Sequence, residues 1–417
     1  MPRGSNLPAV AGFNETVVLD QIRRSDDGVS RVELVALTGL SPQTISNVTR
    51  KLLQRGLINE TGKVVGGPGA PRMMLQLNPV GGFAIGVHID PVVITCVLLD
   101  LEGNLVAHSH LRAPSIAIED PEEGIAAIAA AVDQLIAGTA VPRDRVIGLG
   151  VAVPGPVDAV RGRVVKPPLM LPWSEFPLRE SLEAATGLPT LMIKDVTAAA
   201  VAEQWMNAEN PSRNFVFFYY GTGVGVGMVL NDEVHNGASG NAGNAGHFRI
   251  APDGPMCSCG RRGCFSQAVR PARLVDQAQQ LGLLDATAAT DLHSVFGLFE
   301  RLVASAETGE PQARQLLVAS VEAVGSFIVN VTNLLDVDRI VFGGPYWSTV
   351  EKFFQRELPE RIRFSEIDNL SHSVNVASSV IGEDVVAVGA ACLVLAGSFS
   401  PQSSKLQIAP AVIKVGV

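Results

Sequence analysis

Apolar residues recur along this chain with two different periods, and the change between them falls near residue 79. In the first stretch the period is helical. Val18, Leu19 and Ile22 share one face of a predicted helix of about twelve residues that Asn14 would cap. Ser30-Arg31-Val32-Glu33 is a capping box, in which the Ser oxygen and the Glu carboxylate satisfy opposite ends of a first turn. It opens a short helix through Leu37. Thr38-Gly39-Leu40 then turns the chain. Ser41-Pro42 starts a third helix, with Ser as N-cap and Pro at the first position, where its missing N–H costs nothing. Ile45, Val48 and Leu52 recur at i, i+3 and i+7 and face inward. Gly56-Leu57-Ile58 begins a strand. Lys63-Val64-Val65, a Gly/Pro-rich loop through Arg72, and Met73–Leu77 complete a hairpin.

Beyond Asn78-Pro79 strands and helices alternate. Phe83–His88 and Val92–Leu99 read as strands, and a third follows the Leu101–Asn104 turn. A helix is predicted from Pro121 to Ala137, with Ile125, Ile128, Val132 and Leu135 inward. Val146–Val153 is a continuous apolar run, as expected of a buried central strand, and Leu188–Ile193 is another. The second ends at Lys194-Asp195, and a helix begins at Val196. Residues at the C-terminal ends of such strands line ligand crevices. Asn214–Tyr220 and Val226–Leu230 flank Gly221-Thr222-Gly223-Val224-Gly225. Because strand follows strand, this is a hairpin and neither a Rossmann turn nor a P-loop. Its glycines serve either an anion, through main-chain N–H groups, or only a tight turn. Helices fill 270–336, a strand covers Arg339–Phe342, and a last helix runs from Asp384 to Leu395.

Composition and charge change this picture in two ways. A 47% hydrophobic content excludes a disordered chain, and no uninterrupted apolar run approaches the ~18 residues of a spanning helix, so no membrane partner is expected. The net charge of −9 is unevenly spread: residues 1–78 carry nine Lys/Arg and six Asp/Glu, leaving −12 on the remainder. A basic head on an acidic body points to a nucleic-acid partner for the head alone. The outward face of its third helix carries Gln43, Thr44, Ser46, Asn47 and Arg50, side chains that read base edges in a major groove. Helix, glycine turn and polar-faced helix make a helix-turn-helix. The hairpin makes a wing, with Lys63 and Arg72 placed for phosphate or the minor groove. The plainer alternative is a small helical domain whose polar face meets water.

The cysteines point to metal. His247, Cys257, Cys259 and Cys264 give His-x9-Cys-x-Cys-x4-Cys, and three thiolates with an imidazole suit tetrahedral, structural Zn2+ with no open position for catalysis. Cys96 and Cys392 lie in apolar runs and read as core residues. An odd cysteine count and an N-terminus without an apolar signal region suggest a reduced, cytoplasmic chain.

The chain resembles the ROK family (repressors, open reading frames and kinases), specifically its regulators with an N-terminal winged helix. The resemblance rests on Asn241–His247 followed by Cys257-Ser258-Cys259-Gly260-Arg261-Arg262-Gly263-Cys264. Val153–Asp158, Gly221–Gly227 and Gly389-Ala390-Ala391 support it. It implies an α/β fold in which the winged helix-turn-helix precedes two actin-like, ribonuclease H-like lobes. It also implies a sugar-sized cleft between the lobes, and a homodimer or homotetramer. The expected division is 1–79 for the head, 80–200 for the first lobe with the helix at 384–398 packed back on it, 201–383 for the second, and 399–417 as a tail.

Departures from the family pattern bear on function. Its sugar kinases open with Asp-x-Gly-Gly-Thr, and the aligned positions here are His88-Ile89-Asp90-Pro91-Val92. Both glycines are gone, Pro91 lacks a donor, and Asp90 is displaced by two residues and should point elsewhere. Asp195 stands at the family's general-base position, preceded by Lys194 where Asn is usual. Asn244 and Ser266 replace two sugar-contacting glutamates. Lys194, Asp195, Asn244 and His247 are the candidate ligand residues, and a Lys194–Asp195 salt bridge is the bland alternative. A lysine gained and two carboxylates lost suggest an anionic ligand such as a sugar phosphate, with Lys166 as a second cation, unless the cleft has lost ligand binding. These features predict a non-enzymatic transcriptional regulator, a repressor of carbohydrate-related genes that binds double-stranded operator DNA. The alternative is a sugar kinase with a fused DNA-binding head.

Overall fold

The computed structural model describes residues 7–25, 27–64, 72–112, 120–167, 169–206, 212–287, 292–362 and 372–399. The head begins with α1 (Leu7–Arg23), which is longer than its sequence signals suggest. Asn14 lies inside it and caps nothing, because the residues before it continue the helix and one interior Asn costs only a few tenths of a kcal/mol. After β1 (Val29–Ser30), the capping box forms as expected. Ser30 accepts from the Glu33 N–H, the Glu33 carboxylate accepts from the Ser30 N–H, and α2 (Arg31–Thr38) follows. Gly39, at φ 69°, ends it in the left-handed conformation that glycine takes without penalty. The Ser41 hydroxyl accepts from the Thr44 N–H to start α3 (Pro42–Gln54). The strands β2 (Ile58–Val64) and β3 (Arg72–Leu77) join β1 in the order β1-β3-β2. Val18, Leu19, Ile22, Leu34, Ile45, Val48 and Leu52 close the core between helices and sheet. The loop expected at Gly66–Pro71 and the tail from residue 400 onward lie outside the described residues.

The described residues of the body contain two five-stranded sheets with the same strand order, beside a two-stranded ribbon of Val157–Asp158 and Arg163–Val164. The first comprises β4 (Phe83–Ile89), β5 (Val93–Asp100), β6 (Leu105–Arg112), β7 (Val146–Val153) and β8 (Thr190–Lys194). They lie in the order β8-β7-β4-β5-β6, parallel across β4/β7 and β7/β8 and antiparallel across the β4-β5-β6 meander. On one face lie α4 (Pro121–Ala137) and α5 (Leu178–Thr186), which contribute to the core around Ile128, Val132 and Trp173. After α6 (Asp195–Met206) the pattern repeats with β9 (Phe215–Tyr220), β10 (Val224–Leu230) and β11 (Glu233–Val234). The helices α7 (Pro271–Gln280), α8 (Leu292–Glu307) and α9 (Pro311–Leu335) precede β12 (Arg339–Gly343). Beyond β12 come α10 (Trp347–Glu357), β13 (Asn375–Ser378) and α11 (Val385–Phe399), and the second sheet runs β11-β10-β9-β12-β13.

The helices α6 and α11 form the middle layer between the sheets. Their close approach depends on missing side chains. A Cβ on Gly389 would lie 1.7 Å from the Ala198 carbonyl oxygen, and one on Gly86 would lie 1.9 Å from that of Ala387. Both helices are buried on all sides, which explains their Ala- and Val-rich sequences. The boundary expected at residue 200 falls inside α6, a single helix that packs on α11 and on the second sheet.

The helix α9 is long and apolar enough to cross a membrane. Its most apolar stretch is 61% buried inside the protein, where Phe327 packs against Phe218 and Phe265, and Leu317, Val321, Val324 and Ile328 belong to the same core. Scattered polar residues such as Asn330, Thr332 and Asn333 interrupt its apolar run in sequence.

Candidate functional site

The outward face of α3 carries all five residues singled out from the sequence. Gln43, Ser46 and Arg50 are exposed, and Thr44 and Asn47 are half-buried. They form a chain of contacts: the Asn47 Oδ1 accepts from Arg50 at 2.8 Å and from Gln43 at 3.5 Å. Other cations of the head are committed to acids. Lys51 and Arg55 both meet Glu15, and Arg31 meets Glu60 at 2.8 Å and also donates to Thr49. Arg50 has no carboxylate partner among the described residues. Arg72 begins β3, exposed, with its guanidinium 4.0 Å from Glu33. Lys63 lies on β2, opposite Met73.

A second group of side chains converges at the cleft between the lobes. A cavity of about 140 Å³ is lined by Pro91, Lys194, Asp195, Tyr219, Thr222, Asn244 and Arg270, among others. Asp195 is the first residue of α6, at the end of β8, where the strand-end expectation placed it. Burial pushes its carboxyl up to about 6, against the pull of the Lys194 charge and the Val196 N–H. Lys194 makes no salt bridge to it. The Nζ donates instead to the carbonyl oxygens of Asn241 (3.3 Å) and Ala242 (3.0 Å), and burial lowers its pKa.

Asp90 is not among the residues that line this cavity, and its carboxylate turns to the opposite lobe. It is buried at the mouth of β4–β5 and accepts from the Thr222 hydroxyl of the opposite lobe at 2.9 Å and from the Val92 N–H at 2.9 Å. Burial pushes it up to about 6, although both of those donors and the Val93 N–H oppose the shift. The glycine hairpin brings Thr222 to this position. His88 is buried edge-on to Tyr219, their ring centroids 6.3 Å apart, and burial lowers it to about 3, so the imidazole is neutral. Asn241 adds a two-way bridge between lobes: its Oδ1 accepts from the Val157 N–H at 2.7 Å and its Nδ2 donates to the Val157 carbonyl at 2.8 Å. Lys166 is exposed and is not part of the lining, whereas Arg270 is. The Arg270 Nε is buried without a hydrogen-bond partner among the described residues. The sequence offered no signal for Arg270, which follows the short helix Ser266–Val269 and precedes α7.

The third group is His247, Cys257, Cys259 and Cys264. One ligand atom from each lies within 4.8 Å of all the others. The His247 Nδ1 is 3.7 Å from Cys257 Sγ, and Cys259 Sγ is 3.5 Å from Cys264 Sγ. Metal–sulfur bonds of ~2.3 Å in tetrahedral geometry place sulfurs about 3.8 Å apart, so the donor set fits a zinc-sized ion. Burial tends to raise the Cys257 thiol, but hydrogen bonds from Cys259, Cys264 and His247 outweigh it and hold it at about 6. The turn is tight because a Cβ on Gly263 would overlap the Ala251 carbonyl. His247 belongs to this cluster and is not in the cleft lining; Asn244, three residues earlier, is.

The ROK family model matches residues 84–396. The xylose repressor of Bacillus spizizenii is 29% identical over 260 residues, which are 61% of this chain; the chain spans 65% of that repressor's length. A glucokinase of Streptomyces coelicolor is 33% identical over 199 residues, 48% of this chain and 60% of the enzyme. Among solved structures, a ROK-family transcriptional regulator homologous to the Mlc protein of Escherichia coli superposes with a TM-score of 0.74. It covers 95% of this chain and 98% of its own, at 24% identity, so head and body share its fold.

Proposed function

The chain belongs to the ROK family, and on that premise we propose that it is a DNA-binding transcriptional regulator, a repressor, and not a sugar kinase. The observation that carries this reading is the exposed Gln43–Arg50 face of α3, where Arg50 is a cation with no acid to neutralise it among the described residues. In this reading residues 1–79 hold DNA through Gln43, Thr44, Ser46, Asn47 and Arg50 in the major groove, with Lys63 and Arg72 of the wing on phosphate. Two copies in a homodimer or homotetramer would engage successive grooves. Residues 80–383 sense a ligand, in the cytoplasm, where operator DNA is found. The repressor name of a 29% identical relative supports a carbohydrate-linked role.

Against kinase chemistry stands Pro91, which lines the cleft at the turn after β4 and offers no N–H to a phosphate. Lys194 is engaged with two backbone carbonyls, so an anionic group on the ligand would meet Arg270. Asp195 would accept from ligand hydroxyls, as in a sugar or sugar phosphate. The His247, Cys257, Cys259 and Cys264 set would hold structural Zn2+, with four protein donors and no open position.

The test uses full-length protein. Selection from a random duplex pool should enrich a palindromic site, and binding should weaken steeply with salt. Absence of salt-sensitive duplex binding sinks the regulatory reading. Phosphorylation of any hexose that depends on Asp195 restores the kinase. Calorimetry with neutral hexoses and their phosphates separates the ligand classes.

A further inference from the structure

Away from the cleft and the thiol cluster, one more set of ligating side chains converges among the described residues. His108 and His110 alternate along β6, the edge strand of the first sheet, while Ala107 and Leu111 turn to the opposite face and the core beside α4. Asp384 stands immediately before α11. Each of its carboxylate oxygens meets one imidazole: Oδ2 lies 2.8 Å from His108 Nδ1, and Oδ1 lies 2.7 Å from His110 Nε2. The two rings meet edge to face with centroids 5.1 Å apart. One ligand atom from each of these three residues lies within 4.8 Å of the other two.

We propose that His108, His110 and Asp384 form a second metal site, which takes a divalent first-row transition cation on two imidazole nitrogens and a carboxylate oxygen. Period-two alternation puts residues i and i+2 on one face of a strand, so β6 delivers both imidazoles to the same side. The use of Nδ1 from one ring and Nε2 from the other lets side chains with separate anchor points converge. The carboxylate is the fixed element, with 12% of its side chain exposed, against 52% and 36% for His108 and His110. Solvent therefore reaches the imidazole side, where water would complete the coordination shell, as in sites with three protein ligands.

Bonds of ~2.0–2.2 Å hold donors about 3.0–3.4 Å apart, and the three donor atoms, within 4.8 Å of one another, reach that spacing with side-chain shifts of about 1–2 Å. Nitrogen and oxygen donors without thiolate suit Co2+, Ni2+, Cu2+ or Zn2+, and distinguish this trio from the cysteine cluster. A bound ion would cross-link the edge of the first sheet to the start of α11, the helix that packs on α6. The competing account is a hydrogen-bonded trio with no affinity for metal.

Equilibrium dialysis and absorption with Co2+ on the full-length protein separate the two. Cysteine-bound Co2+ shows thiolate charge transfer, and Co2+ on the trio shows none. We expect a bound ion without that signature, lost in His108→Ala and in His110→Ala. It should persist in His372→Ala, a control histidine that pairs with Asp336. The exposed positions of His108 and His110 make misfolding a poor explanation for the loss, and an unchanged circular dichroism spectrum would confirm it. The proposal is overturned if no Co2+ binds without thiolate charge transfer, or if such binding survives in the double variant.

Discussion

The guanidinium of Arg23 lies 4.1 Å from the ring centroid of Trp205. Arg23 ends α1 of the head, and Trp205 is the penultimate residue of α6, whose first residue is Asp195 in the cleft. One helix about 18 Å long therefore runs from the candidate ligand site to the head. The head's apolar residues Val18, Leu19 and Ile22 also belong to the same core as Ala198 and Ala387 of the middle layer. A double-mutant cycle with Arg23→Ala and Trp205→Leu, read by urea denaturation, should show a coupling of about 1 kcal/mol. A coupling near zero would remove this contact as a link between the lobes and the reader.

Arg50→Ala should weaken duplex binding by about 1–3 kcal/mol if Arg50 reads a base, or lower the salt slope by about one if it meets phosphate. Thermal stability should hardly change, because the side chain is exposed and its hydrogen bond runs to Asn47 on the same helix. Fluorescence anisotropy at several salt concentrations distinguishes the two outcomes.

If His247, Cys257, Cys259 and Cys264 hold Zn2+ as proposed, Cys257→Ser should release it and lower the melting temperature of the body, since metal binding and folding are coupled. A chelator should do the same to the parent protein and leave the variant unaffected. A variant that melts like the parent with its metal still bound would contradict the four-ligand assignment.

Asp90 gives a pH-dependent signature. Its folded pKa of about 6 lies above the ordinary carboxylate value of 3.8, so between those pH values the unfolded chain has lost a proton that the folded chain keeps. Its contribution to stability is therefore greatest at acidic pH and falls as pH rises through this window. Asp90→Asn removes the buried charge and should stabilise the protein at pH 7 by up to about 3 kcal/mol, the gain vanishing near pH 4. Denaturant melts across that range check it, and a constant difference would refute the assignment.

Gly389→Val tests the middle layer. Even its Cβ would fall within 1.7 Å of the Ala198 carbonyl, and backbone cannot step aside as a flexible side chain can. A loss of about 1–3 kcal/mol or more is expected in chemical denaturation.

Local order was legible from residues a few positions apart. The Ser30–Glu33 box, the Gly39 turn, the Ser41-Pro42 start and the inward stripe of α3 all stand where their spacing put them, because caps and helical faces are set within about one turn. The cysteine and histidine cluster was equally visible, its donors being held within one short stretch of chain. Asn14 misled because a capping residue is also tolerated inside a helix. Tertiary structure alone decided what meets across long separations. It turned Asp90 onto Thr222, directed Lys194 to carbonyls instead of Asp195, and put Arg270 in the cleft in place of Lys166. It also joined His108 and His110 to Asp384. Those contacts depend on how two sheets stack on a pair of helices at glycine contacts, a geometry that no local spacing encodes.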